Sequence, residues 1–499
     1  MIKLTRRSFL KTSALAATAL ALPARSWSQI IGANSDIRVA VIGLNGRGKN
    51  HVASLAAIKG VRIVALCDPD TAVLEKAKQL KGIDAGTIKT FTDLRELLAL
   101  KDLDAVTIAT PNHWHSLAGI WACKAGKDVY VEKPVSHNVW EGRQLVAAAM
   151  KYNRVVQSGV QIRSGEGLQA AVAWVRAGHI GKIRASRGLC YKRRDSIGKT
   201  SGPQPVPASI NYDLWTGPAP LLPPRRNSKK NGPVHYEWHW FWDYGNGDVG
   251  NQGIHQMDVA RWFLGEPGLP RHSFSIGGRL GYDDYGETPN TQVIVHDYKI
   301  APLIFEVRGL PSKADNAEEN SLNTEAAAAT MDHLNGVSIG NIVECEGGMV
   351  VIPNYWEATV YDNDGRIIQE FRGHDRHMQN FIDVIRSRKT LDLYGPIEEG
   401  HVSSALCHLG NISHEIGRSM SPAEVAECTQ GDTVASEAAG RMVEHLKVHE
   451  INFANTPLTL GATLTVDPKK EMCTGAFSER AIPLLARHYR EPFVVPQLA

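Results

Sequence analysis

Val39-Ala40-Val41-Ile42-Gly43-Leu44-Asn45-Gly46-Arg47-Gly48 runs an apolar strand straight into a glycine-rich turn. Gly43 falls at the strand end and Gly48 at the start of the next helical pattern, so backbone N–H groups and the helix dipole can hold a pyrophosphate. Asn45 stands where the usual fingerprint has its middle glycine. Alone, so imperfect a fingerprint is weak, and its surroundings decide. From Ile37 the chain alternates strand and helix patterns: strands at 37–42, 61–67, 105–109 and 128–131, with helices starting at Arg47, Thr71 and His113. Alternation with short loops predicts a parallel, doubly wound sheet, an α/β Rossmann domain over residues 36–158. Asp68 closes the second strand, where a carboxylate accepts hydrogen bonds from the adenosine ribose hydroxyls. Gly43, Asn45, Gly46, Arg47, Gly48 and Asp68 therefore form the expected dinucleotide site. NAD is expected over NADP, because the carboxylate repels a 2′-phosphate unless Arg47 or Lys49 compensates.

With 499 residues, 43% hydrophobic and 21% charged, the chain is long enough for two packed domains and carries no sign of disorder or fibrous repeat. A formal net charge of +3, evenly spread, argues against a nucleic-acid partner. Seven cysteines without a Cys-x-x-Cys spacing give neither a disulfide framework nor a zinc site, and Cys67, Cys123, Cys190 and Cys345 read as small core residues. At the N-terminus, Thr5-Arg6-Arg7-Ser8-Phe9-Leu10-Lys11 precedes an apolar stretch from Ala14 to Leu22, the order of a twin-arginine export signal. The expected signal covers residues 1–28, and the twin-arginine export machinery would deliver a folded protein to the periplasm or beyond. No second apolar run approaches the ~20 residues that span a bilayer, so no membrane span is expected in the mature protein.

Two motifs sharpen the reading. Thr110-Pro111-Asn112-His113-Trp114-His115 follows one predicted strand and Glu132-Lys133-Pro134 the next. Together they resemble the T-P-N-x-x-H and E-K-P motifs of the glucose-fructose oxidoreductase/inositol dehydrogenase (Gfo/Idh/MocA) family, at the strand ends where open α/β sheets bind ligands. Oxidising a secondary alcohol needs a hydride acceptor and a base or relay for the hydroxyl proton. The resemblance implies that Lys133 holds and polarises that hydroxyl, with Glu132 orienting it and Pro134 fixing the turn through a cis peptide. It adds Thr110, Pro111, Asn112, His115, Glu132 and Lys133 to the cofactor site, His115 as a helix-start or packing residue rather than an acid.

Beyond a strand at 154–158 the periodicity changes to a helix at 168–177 and a strand at 183–188. Alternating segments at 292–297, 303–307, 342–351, 358–361 and 367–371 suit a large, mostly antiparallel open sheet in an α+β second domain, residues 159–430. Asp213-Leu214-Trp215-Thr216-Gly217-Pro218-Ala219-Pro220 resembles a loop of the same family, within a Pro/Gly-rich segment, 202–233, suited to cover a site. Gly245 to Asp258 resembles the family's D-x-G-x-H-x-x-D helix, which puts His255 at the catalytic histidine and Asp258 one turn onward. The aspartate four residues before that histidine is replaced by Asn251, which weakens His255 as a base, leaves Lys133 as the other proton carrier and assigns Asn251 to the substrate; Asp248 is close enough in sequence to compensate.

If extended, His235, Glu237 and His239 share one face; no metal is expected there, and aromatic rings such as Trp240 are read as stacking on sugar faces. Arg163, Tyr191, Trp215 and Trp240 complete the expected substrate pocket with Lys133, Asn251 and His255. Residues 431–499 form a C-terminal extension read as packing or oligomer contact, and the resemblance implies a homo-oligomer. The function expected is oxidation of a sugar or polyol secondary hydroxyl with a retained, internally recycled cofactor. Glycoside cleavage through transient oxidation and elimination is one alternative. The other, motivated by Asn251, is a sugar-binding protein that keeps the fold without turnover.

Overall fold

The computed structural model of the protein describes residues 36–228, 230–313 and 330–499. The expected signal at 1–28 lies outside the described residues. The first domain is a parallel sheet of β1 (Ile37–Ile42), β2 (Val61–Cys67), β3 (Lys89–Phe91), β4 (Ala105–Ile108), β5 (Asp128–Val131) and β6 (Val156–Ser158). Their order, β3-β2-β1-β4-β5-β6, reverses direction between β1 and β4, which opens a crevice at the strand ends. The central strands β4 and β5 are buried throughout because helices pack on both faces, so their sequences are continuous apolar runs. β3, the short helix Leu94–Leu98 and the helix Val139–Lys151 escaped the sequence reading; three residues and five residues give too little periodicity, and the third is buried over most of its length.

The second domain holds the other twelve strands in one sheet. Its main path uses β7 (Ile183–Tyr191), β8 (His272–Gly278), β9 (Thr291–Asp297), β10 (Leu303–Arg308), β11 (Ile339–Cys345), β12 (Gly348–Ile352), β13 (Glu357–Asp362) and β14 (Ile367–Arg372). All neighbours along it are antiparallel except β7 and β10. The single strand expected at 342–351 is a hairpin, β11 and β12, because Glu346-Gly347 turns the chain inside an apolar stretch that reads as continuous.

The C-terminal 69 positions expected as an extension are woven into both domains. Ala435, Ala438, Ala439, Met442 and Leu446, on one face of the helix Thr433–Val448, pack on Ile276, Val293, Val295 and Ile304 of the sheet. That helix takes the packing role, one of the two expected for the 431–499 extension. Further on, β16 (Leu458–Leu460), β17 (Leu464–Asp467) and β18 (Met472–Thr474) extend the sheet through β8, β16 also pairing with β15 (Arg418–Met420), which precedes the helix, while Phe493 and Val495 enter the core of the first domain. The helix His377–Ser387 also returns to the first domain, where Phe381, Ile382 and Ile385 pack beneath Ile37, Val39 and Tyr130.

Candidate active site

The crevice between β1 and β4 opens into a cavity of about 320 Å3 lined by Gly43, Asn45, Gly46, Arg47, Asp68, Thr110, Pro111, Asn112, His115, Glu132, Lys133, Trp215 and Asn251, among others. Gly43 has φ +84°, and a Cβ there would lie 2.6 Å from the Ala109 carbonyl; a Cβ on Gly48 would lie 1.8 Å from the Gly43 oxygen. Gly46, by contrast, faces open space, so the turn is tight on the protein side and free on the ligand side. Thr110 Oγ1 and Asn112 Oδ1 are buried without a partner. A dinucleotide fits this donor set: amides at the turn, a ribose acceptor at Asp68 and two unmatched polar atoms at the far end.

Asp68 is fixed by two backbone amides, Leu44 at 2.8 Å and Asp70 at 3.0 Å. Burial outweighs those bonds and pushes its carboxyl up to about 6. Arg47, one of the two cations able to offset Asp68, turns away and donates from Nε to Glu132 Oε1 at 3.0 Å.

Glu132 is the most heavily partnered carboxylate of the site. It accepts from Arg47, from His51 Nε2 at 3.1 Å and from Gln161 Nε2 at 3.0 Å, and Gln161 also reaches the Tyr130 hydroxyl. Burial opposes its charge, yet the His51 hydrogen bond and the Arg47 charge hold it well below the usual carboxylate range. The Lys133–Pro134 peptide is cis. His115 spans the two motifs, Nδ1 facing the Pro134 carbonyl at 2.6 Å and Nε2 the Thr110 carbonyl at 2.7 Å; this is a packing strut, with burial holding its pKa down.

Lys133 points from this turn to the second domain and donates from Nζ to the Asn251 carbonyl oxygen. Asn251 lies in a π-helical turn, Val249–Gly253, that leads into the helix Ile254–Leu264 carrying His255. Burial lowers the Lys133 pKa to about 8, despite the opposing Glu132 charge. His255 is buried against the Tyr355 ring, 5.2 Å between centroids, with Nδ1 unpartnered. Burial first, then the Lys133 charge, hold it well below the ordinary histidine value, so it is a neutral imidazole. Of the two expected proton carriers, Lys133 has the affinity suited to neutral solution.

Several expected pocket residues sit elsewhere. Arg163 donates from Nε to both oxygens of buried Asp258, at 3.0 and 2.8 Å, and Ser403 bonds the same carboxylate at 2.6 Å. Asp258 is thereby spent on a salt bridge and does not orient His255. Asp248 is spent likewise, on Arg194 at 2.5 and 2.8 Å, and does not compensate for Asn251. Tyr191 is buried on the opposite face of the sheet, its hydroxyl 2.7 Å from Glu306 beneath the C-terminal helix. Trp240 packs inside the fold and donates from Nε1 to Glu237 at 3.0 Å. The 235–239 stretch is not extended: Glu237–Trp240 is a 3-10 turn in which His239 stacks on Trp238 at 3.7 Å. Alternation of polar and aromatic residues imitated a strand there. Trp215 does line the cleft, stacked on Tyr212.

The sequence reading expected the 202–233 segment to cover a site but missed the contacts that hold it there. Asn211 N donates to Pro69 O and Thr71 N to Ser209 O, both at 2.9 Å, and His235 Nε2 meets Asp70 Oδ2 at 2.9 Å. Together they tie Ser209, Asn211 and His235 across the adenosine end. Tyr236, next to His235, holds φ 59°, unusual for a bulky residue. Nothing local in the sequence marks these contacts, which join residues far apart in the chain.

Residues 37–160 match the family model described as "Oxidoreductase family, NAD-binding Rossmann fold" of Gfo/Idh/MocA, and residues 174–276 match its C-terminal alpha/beta domain. The chain belongs to the Gfo/Idh/MocA family. Its first domain is that family's NAD-binding domain. A curated relative, glycosyl hydrolase family 109 protein 2 of Shewanella sp. (strain ANA-3), is 33% identical over 200 residues, 36% of this chain and 44% of the relative. Another, from Shewanella pealeana, is 28% identical over 36% of this chain and 45% of the relative. The chain thus spans less than half the length of these curated relatives. Among solved structures, the WlbA dehydrogenase of Bordetella pertussis in complex with NADH and UDP-GlcNAcA aligns with a TM-score of 0.52 at 20% identity, over 74% of this chain and 94% of that one. An oxidoreductase of Agrobacterium radiobacter, in complex with NAD+, L-tartaric acid and magnesium, aligns with a TM-score of 0.52 at 15% identity, over 75% and 95%. These likenesses establish the shared fold.

Proposed function

We propose that the protein is an NAD-dependent oxidoreductase acting on a secondary hydroxyl of a sugar or polyol, with the cofactor retained and recycled within each turnover. The observation that carries this reading is the single cavity running from Asp68, past the 43–47 turn, to Lys133 and Asn251. Bound there, the nicotinamide would supply the hydride acceptor. Lys133, with a pKa of about 8, is neutral in a useful fraction near physiological pH; it takes the hydroxyl proton and returns it in the reverse step. The Asn251 carbonyl holds Nζ in place, Glu132 anchors the turn from behind, and His255 accepts a hydrogen bond from the substrate as a neutral ring. The contacts of Ser209, Asn211 and His235 to Pro69, Asp70 and Thr71 support retention of the cofactor, because they span the adenosine end.

The test is to denature the purified protein and assay the supernatant for stoichiometric NAD(H) or NADP(H), then follow nicotinamide absorbance of the native protein on adding sugars and glycosides. Stoichiometric NAD(H), reduced by a sugar, is the expected result. Absence of dinucleotide together with no binding of added NAD overturns the assignment.

The glycosyl hydrolase relatives favour a second reading, glycoside cleavage. Oxidation at a ring carbon would acidify the neighbouring C–H; loss of that proton expels the glycosidic oxygen, and addition of water and hydride return restore the sugar. Solvent deuterium appearing at that neighbouring carbon during cleavage distinguishes it from simple oxidation. Export through the twin-arginine machinery to the periplasm is also part of the proposal, supported by Arg6-Arg7 and the apolar stretch after it. Replacing both arginines by lysine is expected to leave the protein in the cytoplasmic fraction.

A further inference from the structure

Lys133 is not the only cation at the substrate end. Lys192, just after β7, donates from Nζ to Gln252 Oε1 at 3.3 Å, so two lysines hold adjacent residues of the same π-helical turn, Lys133 through Asn251 and Lys192 through Gln252. Gln252 in turn donates from Nε2 to the Tyr355 hydroxyl at 3.0 Å, and the Tyr355 ring packs on His255. Lys192 therefore ends a chain of contacts that runs through Gln252 and Tyr355 to His255, beside the residues that line the cavity at Lys133 and Asn251.

Charge accounting separates it from its neighbours. Arg47 is matched by Glu132, and Arg194 by Asp248. Among the described residues no carboxylate lies within ion-pair distance of the Lys192 ammonium or of Lys133. A half-buried ammonium bonded to one amide oxygen keeps two N–H donors and a full charge to satisfy. Burial and the adjacent Arg194 guanidinium pull its pKa down from the usual lysine value, and the Asp248 charge, already bonded to Arg194, offsets this only in part. The cofactor phosphates do not meet this need, because their cradle is the 43–48 turn of the first domain and Lys192 is bonded to the second domain's own Gln252. Once Lys133 is committed to the reacting hydroxyl, Lys192 remains without an ion pair among the described residues.

We propose that Lys192 anchors an acidic substituent of the substrate, a singly charged carboxylate or sulfate ester on the same sugar whose hydroxyl Lys133 holds. This rests on the oxidoreductase reading for the hydroxyl but not for the charge, and the two fail separately. The substrate class becomes acidic sugars: uronic acids or sulfated sugars, alone or at the end of a longer glycan.

The test uses the full chain with its bound cofactor and matched pairs of probes: glucuronate with glucose, galacturonate with galactose, and the sulfate esters of both hexoses. Calorimetric affinity and reduction of the bound cofactor are recorded for each. At least one acid is expected to bind about tenfold to a hundredfold more tightly than its neutral counterpart. In K192M that ratio collapses towards one, and in K192R most of it returns. A purely structural lysine would move both affinities together, so an unchanged ratio in K192M overturns the proposal, as does a wild-type protein that binds no acid in preference to its neutral partner. Preferential binding of an acid with no cofactor reduction leaves the anchor standing and removes the oxidoreductase reading for these sugars. Reduction by neutral sugars without charge preference does the reverse. Uronates and sulfates are distinguished by which pair shows the ratio.

Discussion

Glu132 and Lys133 are consecutive residues with opposite fates. Glu132 faces the first domain and is saturated: Arg47, His51 and Gln161 all donate to one buried carboxylate oxygen, and the Lys133 amide donates to the other. Lys133 faces the second domain, where its ammonium has a single carbonyl for a partner, Lys192 has a single amide oxygen, and His255 has a ring nitrogen with none. The Glu132 side of the turn is finished before any ligand arrives, and the Lys133 side is left with donors to satisfy. A group with all its bonds made holds geometry, whereas a group with bonds to make recognises ligands and moves protons.

That contrast is broken most directly at Lys133. Lys133→Met is expected to slow reduction of the bound cofactor by a factor on the order of 10²–10⁴, the usual worth of a positioned acid or base, with the fold intact by circular dichroism. A loss below about tenfold would move the proton role to another residue. Glu132→Gln should act on the other axis: it removes the buried carboxylate to which His51, Gln161 and the half-exposed Arg47 donate, at a cost of about 1–3 kcal/mol of unfolding free energy in urea. Equal stability of variant and parent would mean the carboxylate is not the anchor of the turn.

The pH dependence sharpens the same comparison. The neutral amine is the base, so the rate of cofactor reduction rises tenfold per pH unit below about 8 and levels above it. Asn251→Asp would set a carboxylate beside Lys133 and His255, favour both charged forms and displace that midpoint upward; a midpoint unmoved by the new charge would mean that another group titrates. At the far end of the cleft the effect is smaller and opposite in cause. Asp68 accepts ribose hydroxyls best as a carboxylate, so cofactor affinity should fall as pH drops through about 6 and the group protonates. His255→Asn, which keeps a polar side chain in place of a neutral ring, is expected to cost less than about tenfold in rate.

The dinucleotide domain was legible because its signals are local. Gly43 and Gly48 sit at spacings that only a strand–turn–helix satisfies, and Asp68 closes the neighbouring strand. The substrate side was legible only in part. Lys133, Asn251 and Trp215, named from motifs, line the cavity, and His255, named likewise, lies buried against Tyr355 beside it, yet Arg163, Tyr191 and Trp240 were drawn in by residue type alone and lie in salt bridges or packed interiors. Lys192 drew no notice, since a lysine after a strand ordinarily points to water.

Sequence by itself determined the strand–helix alternation, the phosphate-binding turn, the E-K-P turn and the family, because each is encoded within a few residues whose period or backbone freedom has one structural solution. Tertiary structure alone decided which charges are matched and which are not. Asp258 was taken by Arg163, 95 positions away, and Asp248 by Arg194, 54 away, and the helix at 433–448 was laid over the second sheet. Pairing depends on distances across the fold, and an unmatched lysine looks the same in the sequence as a matched one.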